Sequence, residues 1–183
     1  MSDNKEKPKK NTVLSETLHY LILIAVVVFV VIMVNNFLII NARIPSSSME
    51  NTIMVNDQII GNRLAYSVSD PKRYDIIIFK YPDDESKLFI KRIIGLPGET
   101  VSIVDGKVYI NGSTEPLDDS FCRETPMGSF GPYVVPENSY FVMGDNRNDS
   151  HDSRYWVKTF VTRDKILGKA ALRYWPFTRF GAI

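Results

Sequence analysis

Three consecutive hydroxyls stand in Ile44-Pro45-Ser46-Ser47-Ser48-Met49-Glu50-Asn51-Thr52, in a segment whose composition reads as a polar turn. A serine hydroxyl becomes a useful nucleophile only when a base takes its proton. For a Ser-His-Asp arrangement the chain supplies only His19 and His151. His19 lies in a long apolar run. His151 sits between Ser150 and Asp152, where a solvated loop histidine is the simpler reading. A lysine held neutral is the other base available. In Leu88-Phe89-Ile90-Lys91-Arg92-Ile93-Ile94, strand periodicity puts Lys91 on one face with Phe89 and Ile93, while Arg92 points away with Ile90 and Ile94. An ammonium among apolar neighbours is disfavoured, so desolvation would lower its pKa from about 10.4 and populate the free amine near physiological pH. The same pattern also fits a lysine that guards a strand edge or lifts its head into solvent.

Such residues need elements to hold them. The 183 residues correspond to about one domain. Residues 1–16 are polar, with Lys5, Lys7, Lys9 and Lys10 around Pro8, and read as a disordered basic tail. From 17 to 40 there is no Asp, Glu, Lys or Arg, and one histidine, His19. As a helix this stretch would be roughly 36 Å long, enough for a hydrocarbon core of about 30 Å. It is too long for the apolar region of a cleavable secretory signal, so a retained transmembrane helix is expected, with Phe37 to Ile40 at the far interface. The preceding lysines favour a cytoplasmic amino terminus, which places the body outside. From Arg43 onward there are 18 basic and 18 acidic residues, a balance that argues against a nucleic-acid footprint. The single cysteine, Cys122, permits neither an internal disulfide nor a Cys-rich metal site.

Residues 41–183 show short β-rich runs between turn signals, which predicts a mainly β body, an antiparallel sheet or barrel. Strands are expected at 58–61, 75–80, 88–94, 100–104, 107–110, 140–143 and 165–174. Asp105-Gly106 is the strongest hairpin signal, followed at once by the turn Asn111-Gly112. A loop-rich insertion is expected around 105–139. The aromatic end, Tyr174-Trp175-Pro176-Phe177 with Phe180, reads either as core or as a surface resting on lipid headgroups.

Four blocks together resemble the type I (leader) signal peptidases of bacteria, in that family's order and behind an amino-terminal anchor. They are the serine segment 44–52; Arg73-Tyr74-Asp75-Ile76-Ile77-Ile78-Phe79-Lys80-Tyr81-Pro82; Phe89 to Glu99, which reads Phe-Ile-Lys-Arg-Ile-Ile-Gly-Leu-Pro-Gly-Glu; and Met143-Gly144-Asp145-Asn146-Arg147-Asn148-Asp149-Ser150-His151-Asp152-Ser153-Arg154. The resemblance implies a serine-lysine dyad endopeptidase that removes signal peptides from exported preproteins after a small residue, of the Ala-x-Ala type. It makes Ser48 the nucleophile and Lys91 its general base. Ser46 would join the Ser48 backbone N–H in the oxyanion hole, and Ser150 would orient the lysine amine. Arg92, Asp145, Asp152 and Arg154 would brace the site. Ile44, Met49, Ile53, Phe89 and Ile90 would line shallow substrate pockets, with ordinary core packing as the alternative for these five. Partners would be signal peptides and the lipid bilayer, and the location the bacterial cytoplasmic membrane. No metal or organic cofactor is implied.

Asn51 departs from the family's common proline, Phe89 from its frequent tyrosine, and Asn148-Asp149 falls in a variable stretch. None of these removes a reacting group. Lysine at 91, where the related endoplasmic-reticulum and archaeal enzymes carry histidine, points to the bacterial branch. Among rival readings, a sortase needs its histidine before its cysteine, whereas Cys122 precedes His151. A penicillin-binding enzyme needs Ser-x-x-Lys, which none of Ser46 to Ser48 begins. Self-cleaving repressors carry a DNA-binding amino domain in place of an apolar segment. The non-enzymatic alternative is an anchored binding or assembly module, in which Ser48 and Lys91 are structural.

Overall fold

The computed structural model describes residues 10–183, with side chains from Ser15 onward. The basic-tail reading of residues 1–9 lies outside the described residues. Those described form two units, divided between Leu38 and Ile39. The first is a helix, α1 (Lys10–Met33), continued by a wider π-helical turn, Val34–Leu38. Residues 10–16 therefore extend the helix and do not belong to a tail. From Ser15 to Leu38 no side chain is buried, and this stretch is long and apolar enough to cross a bilayer.

The second unit is mainly antiparallel β. Its strands are β1 (Ile39–Arg43), β2 (Gln58–Asn62), β3 (Ile76–Tyr81), β4 (Asp84–Gly95), β5 (Thr100–Val104), β6 (Lys107–Ile110), β7 (Phe130–Val134), β8 (Ser139–Met143), β9 (Val161–Thr162), β10 (Ile166–Trp175) and β11 (Gly181–Ala182). The larger sheet has the order β1-β2-β10-β3-β4-β8-β9, with β11 added to β10, and the smaller has the order β6-β5-β7. Ile39 and Ile40 thus belong to a strand and not to the end of the expected 17–40 helix. Ile40 pairs with Gly61 and is buried in the core, where its apolar side chain is removed from water.

Alternation along the central strands builds two cores on opposite faces of the large sheet. Ile77, Phe79 and Ile93 face one side with Tyr140, Val142 and Trp156. Ile76 and Ile78 face the other with Ile40, Ile44, Met49, Ile53 and Ile59. The expected loop-rich insertion holds β6 at the expected 107–110 and, in addition, an unexpected strand, β7. Its β6 and β7 flank β5 and close a third core of Ile94, Val101, Ile103, Val108, Val135, Phe141 and Met143. At the carboxyl end Phe177 and Phe180 are exposed, which excludes the core reading for both.

Candidate active site

The segment between β1 and β2 is folded back on itself. Ile44 N–H donates to the Asp57 carbonyl and Asn56 N–H to the Ile44 carbonyl, closing its base. Glu50 N–H to Ser47 and Ile53 N–H to Met49 wind it into a helical turn. Met49 and Ile53, fully buried beneath, fix that turn to the sheet. Asn51 has φ 89°, a left-handed conformation that asparagine tolerates and that proline, locked near −65°, cannot adopt. The loop therefore runs here on a course closed to a proline at this position. Asp57, itself buried, accepts from Met54 N–H at 2.9 Å and from the Arg179 guanidinium. Arg173 donates to the Thr52 carbonyl at 2.9 Å, so strand β10 and the carboxyl-terminal turn steady the loop from behind.

The result is a buried Ser48 facing a buried Lys91. Lys91 Nζ donates to Ser48 Oγ at 2.5 Å, across 43 residues of sequence, and only 4% of Lys91 is exposed. Burial pushes the amine down to about 8; Asp152 and Asp145 oppose that shift and Arg154 adds to it. Ser46 Oγ lies 3.4 Å from Ser48 Oγ. Ser150 is buried nearby, but its Oγ makes no hydrogen bond among the described residues, so the expected contact with the lysine amine is not formed here.

The bracing charges are tightly matched. Arg92 grips Asp145 through Nε at 2.8 Å and Nη2 at 2.6 Å, and Thr52 Oγ1 donates to the same carboxylate at 2.5 Å. Asp152 accepts from Arg154 Nε at 2.8 Å and Nη2 at 2.9 Å, and from Gly144 N–H at 3.0 Å. The Asp145 cluster ties the 144–154 segment to the serine loop through Thr52, and the Asp152–Arg154 pair folds that segment on itself. Sequence reasoning missed the direct ties between the two segments. Asn146 N–H donates to the Ser48 carbonyl at 3.1 Å, Asn146 Nδ2 to the Ser47 carbonyl at 3.2 Å, and Ser47 Oγ to Asp149 at 2.5 Å. Arg147, also missed, makes a two-point grip on Asp119 at 2.7 Å, joining the site to the small-sheet region. Asn146 and Arg147 lie within a motif block, but nothing in the sequence says which backbone they meet.

Ser48 and Lys91 open onto a cavity of about 600 Å³ that Phe89 and Ile90 wall on one side and Asn148 to His151 on the other. Of the five residues expected to line substrate pockets, only Phe89 and Ile90 face it. Ile44, Met49 and Ile53 lie in the core under the serine loop, where their burial fixes the loop's course. His151 is exposed and stacks on Tyr155 at the rim. Burial pushes the Cys122 thiol up to about 11, which leaves little thiolate at neutral pH and disfavours a cysteine nucleophile.

Residues 17–175 match the family model described as "Signal peptidase, peptidase S26". The chain belongs to this signal peptidase family. It is accordingly a serine peptidase, a hydrolase of the class that removes signal peptides. A probable signal peptidase I-2 of Synechocystis sp. is 42% identical over 190 residues, an alignment covering 100% of this chain and 82% of the relative. The signal peptidase I of Bacillus amyloliquefaciens is 35% identical, covering 97% of this chain and 96% of its own. A crystal structure of a signal peptidase I from Enterococcus faecalis is 37% identical, covers 56% of this chain and 97% of that one, and superimposes with a TM-score of 0.47.

Proposed function

We propose that this signal peptidase cleaves exported preproteins by a serine-lysine dyad, with Ser48 as nucleophile and neutral Lys91 as general base. The observation that carries the reading is the 2.5 Å approach of a buried Lys91 amine to Ser48 Oγ at the edge of an open cavity. In the first step the free amine takes the Ser48 proton as Oγ attacks the carbonyl of a small residue. Charge collects on that carbonyl oxygen, where the Ser48 backbone N–H and the Ser46 hydroxyl serve as donors. The tetrahedral adduct collapses to an ester as Lys91 passes its proton to the departing amino group of the mature protein. Once neutral again, Lys91 draws a proton from water, hydroxide adds to the ester, and the signal peptide leaves with a free carboxylate while Ser48 regains its hydrogen.

A cavity walled by Phe89 and Ile90 favours apolar side chains before the scissile bond, and the resemblance to signal peptidases narrows these to small ones of the Ala-x-Ala type. The test is cleavage of a preprotein carrying Ala-x-Ala in detergent micelles, with the new termini read by mass spectrometry. Cleavage should fall after the second alanine and be lost when that alanine becomes tryptophan. Equal cleavage of both preproteins would overturn the specificity.

The reading also makes α1 a membrane anchor in a bacterial cytoplasmic membrane, with the amino terminus cytoplasmic and the β unit outside. Its length and composition support this, and an anchored enzyme meets anchored substrates at high effective concentration. In inverted membrane vesicles the β unit should be shielded from added protease, and in intact spheroplasts it should be digested. The reverse pattern would overturn the orientation.

A further inference from the structure

The hairpin between β3 and β4 turns through Pro82 and Asp83 at a distance from the reacting groups, yet it is tied into the wall of the cavity. Asp83 uses both carboxylate oxygens on another part of the chain. Oδ1 accepts from Lys158 N–H at 2.8 Å and Oδ2 from Val157 N–H at 3.0 Å. Oδ2 also accepts from Tyr81 Oη at 3.0 Å. Val157 and Lys158 directly follow Trp156, which is buried. One exposed side chain therefore joins the hairpin tip to the segment that carries Asp152, Arg154 and Trp156.

Three aromatic rings lie between that latch and Lys91. Tyr81 stacks on Phe89 with centroids 4.4 Å apart and planes 5° from parallel. Trp156 meets Tyr81 edge-on at 5.2 Å and Phe89 at 6.0 Å. Phe89 walls the cavity, and its ring centroid lies 5.6 Å from Lys91 Nζ. The register in this part of the hairpin is irregular: Lys80 pairs with Leu88 but Tyr81 with Asp84. The slip lies beyond the Phe79–Phe89 pair, so the ladder sets the Phe89 backbone but not the place of the Tyr81 ring, and on its other edge β4 pairs with β8 only from Arg92 onward. The Phe89 ring at the wall is thus held by packing from Tyr81 and Trp156.

We propose that Asp83 is a positioning residue for this peptidase: by clasping the 157–158 amides and the Tyr81 hydroxyl, it holds the Tyr81-Phe89-Trp156 stack as the wall of the substrate cavity and the cover beside Lys91. The proposal rests on the reading of Ser48 and Lys91 as the reacting pair. Removing the clasp loosens the wall on which substrate side chains rest and lets water closer to the amine, while Asp145, Asp152 and Arg154, the charged groups acting on Lys91, stay in place.

The test uses the full chain in detergent micelles with an Ala-x-Ala preprotein. Asp83→Ala is expected to raise KM by about 3- to 10-fold with kcat within about twofold, the scale of a few lost hydrogen bonds. It should also move the midpoint of the kcat/KM pH profile upward from about 8. Asp83→Asn keeps one acceptor and should fall between wild type and the alanine variant. Tyr81→Phe keeps the stack and should be the mildest. A lowered thermal midpoint with KM and pH midpoint unchanged in Asp83→Ala would make the aspartate merely structural and sink the proposal. Full activity in Lys91→Ala would instead remove the reading beneath it, so the two failures are told apart.

Discussion

Replacing Lys91 with methionine is expected to abolish cleavage while making the protein more stable, and the two effects share one cause. In the native state burial holds the amine at about 8, whereas in the unfolded chain it returns to 10.5. The unfolded state therefore binds more protons between these values, and stability rises with pH across that window. At pH 7, below both values, folding carries the whole penalty, about 3 kcal/mol by linkage from the two pKa values. Methionine fills similar space without a charge to desolvate, so Lys91→Met should unfold at a higher denaturant concentration at pH 7. Without the amine nothing takes the Ser48 proton, and cleavage should fall by about 10³-fold or more, as should Ser48→Ala. In wild type the rate should follow the free amine, dropping nearly tenfold per unit below pH 8 and levelling above it. Initial rates from pH 6 to 10, with denaturant curves of both proteins at pH 7, check each part. A flat profile, or a Lys91→Met variant that cleaves, would sink the dyad.

Part of this site was readable because alternation sorts the side chains of a strand between its two faces. Phe89 and Ile93 pack in one core and Ile90 against the other, as the pattern around Lys91 indicates, although Phe89 and Ile90 both reach the cavity. Strands β5 and β6 lie where Asp105-Gly106 sets them. Other elements carried no such signal. Strand β7 contains Gly131 and Pro132, residues that read as turn and are tolerated because this strand lies at the edge of the small sheet. Strand β1 begins inside the apolar run, and composition cannot tell the end of a helix from a buried strand that follows without a turn. The two-residue strands β9 and β11 are set by their partners alone. Within the site, Ile44, Met49 and Ile53 were ambiguous because an apolar residue beside a nucleophile suits a pocket and a core equally well. What settles it is the direction of the loop. The bond from Asn146 to the Ser48 carbonyl, made backbone to backbone across the fold, leaves no trace in residue type at all.

Gly144 shows what that backbone contact demands. A Cβ at this position would lie 2.3 Å from the Ser48 carbonyl oxygen and 2.3 Å from Ser150 Oγ, well inside contact distance. The obstruction is the Ser48 backbone carbonyl together with the Ser150 side chain, and both chains are pinned. Ser48 O is held by Asn146 N–H, and Gly144 N–H is held by the buried Asp152 carboxylate. Gly144→Ala therefore has to push the serine loop away from the 144–150 segment, lengthening the path between Ser48 Oγ and Lys91 Nζ. A displacement of about 1 Å in a reacting group costs on the order of 100-fold in rate, so kcat should fall by about that factor. Because the cavity wall at Phe89 and Ile90 is untouched, KM should change far less. Gly61→Ala offers the contrast. There the nearest clash, at 2.6 Å, is the Ile78 Cδ1 methyl, within a core that lies beneath the loop. It should lower the denaturation midpoint and leave kcat near wild type. If Gly144→Ala instead loses stability with full kcat, the serine loop is not held in place by its approach to this strand end, and the tie through Asn146 is not what sets the dyad distance.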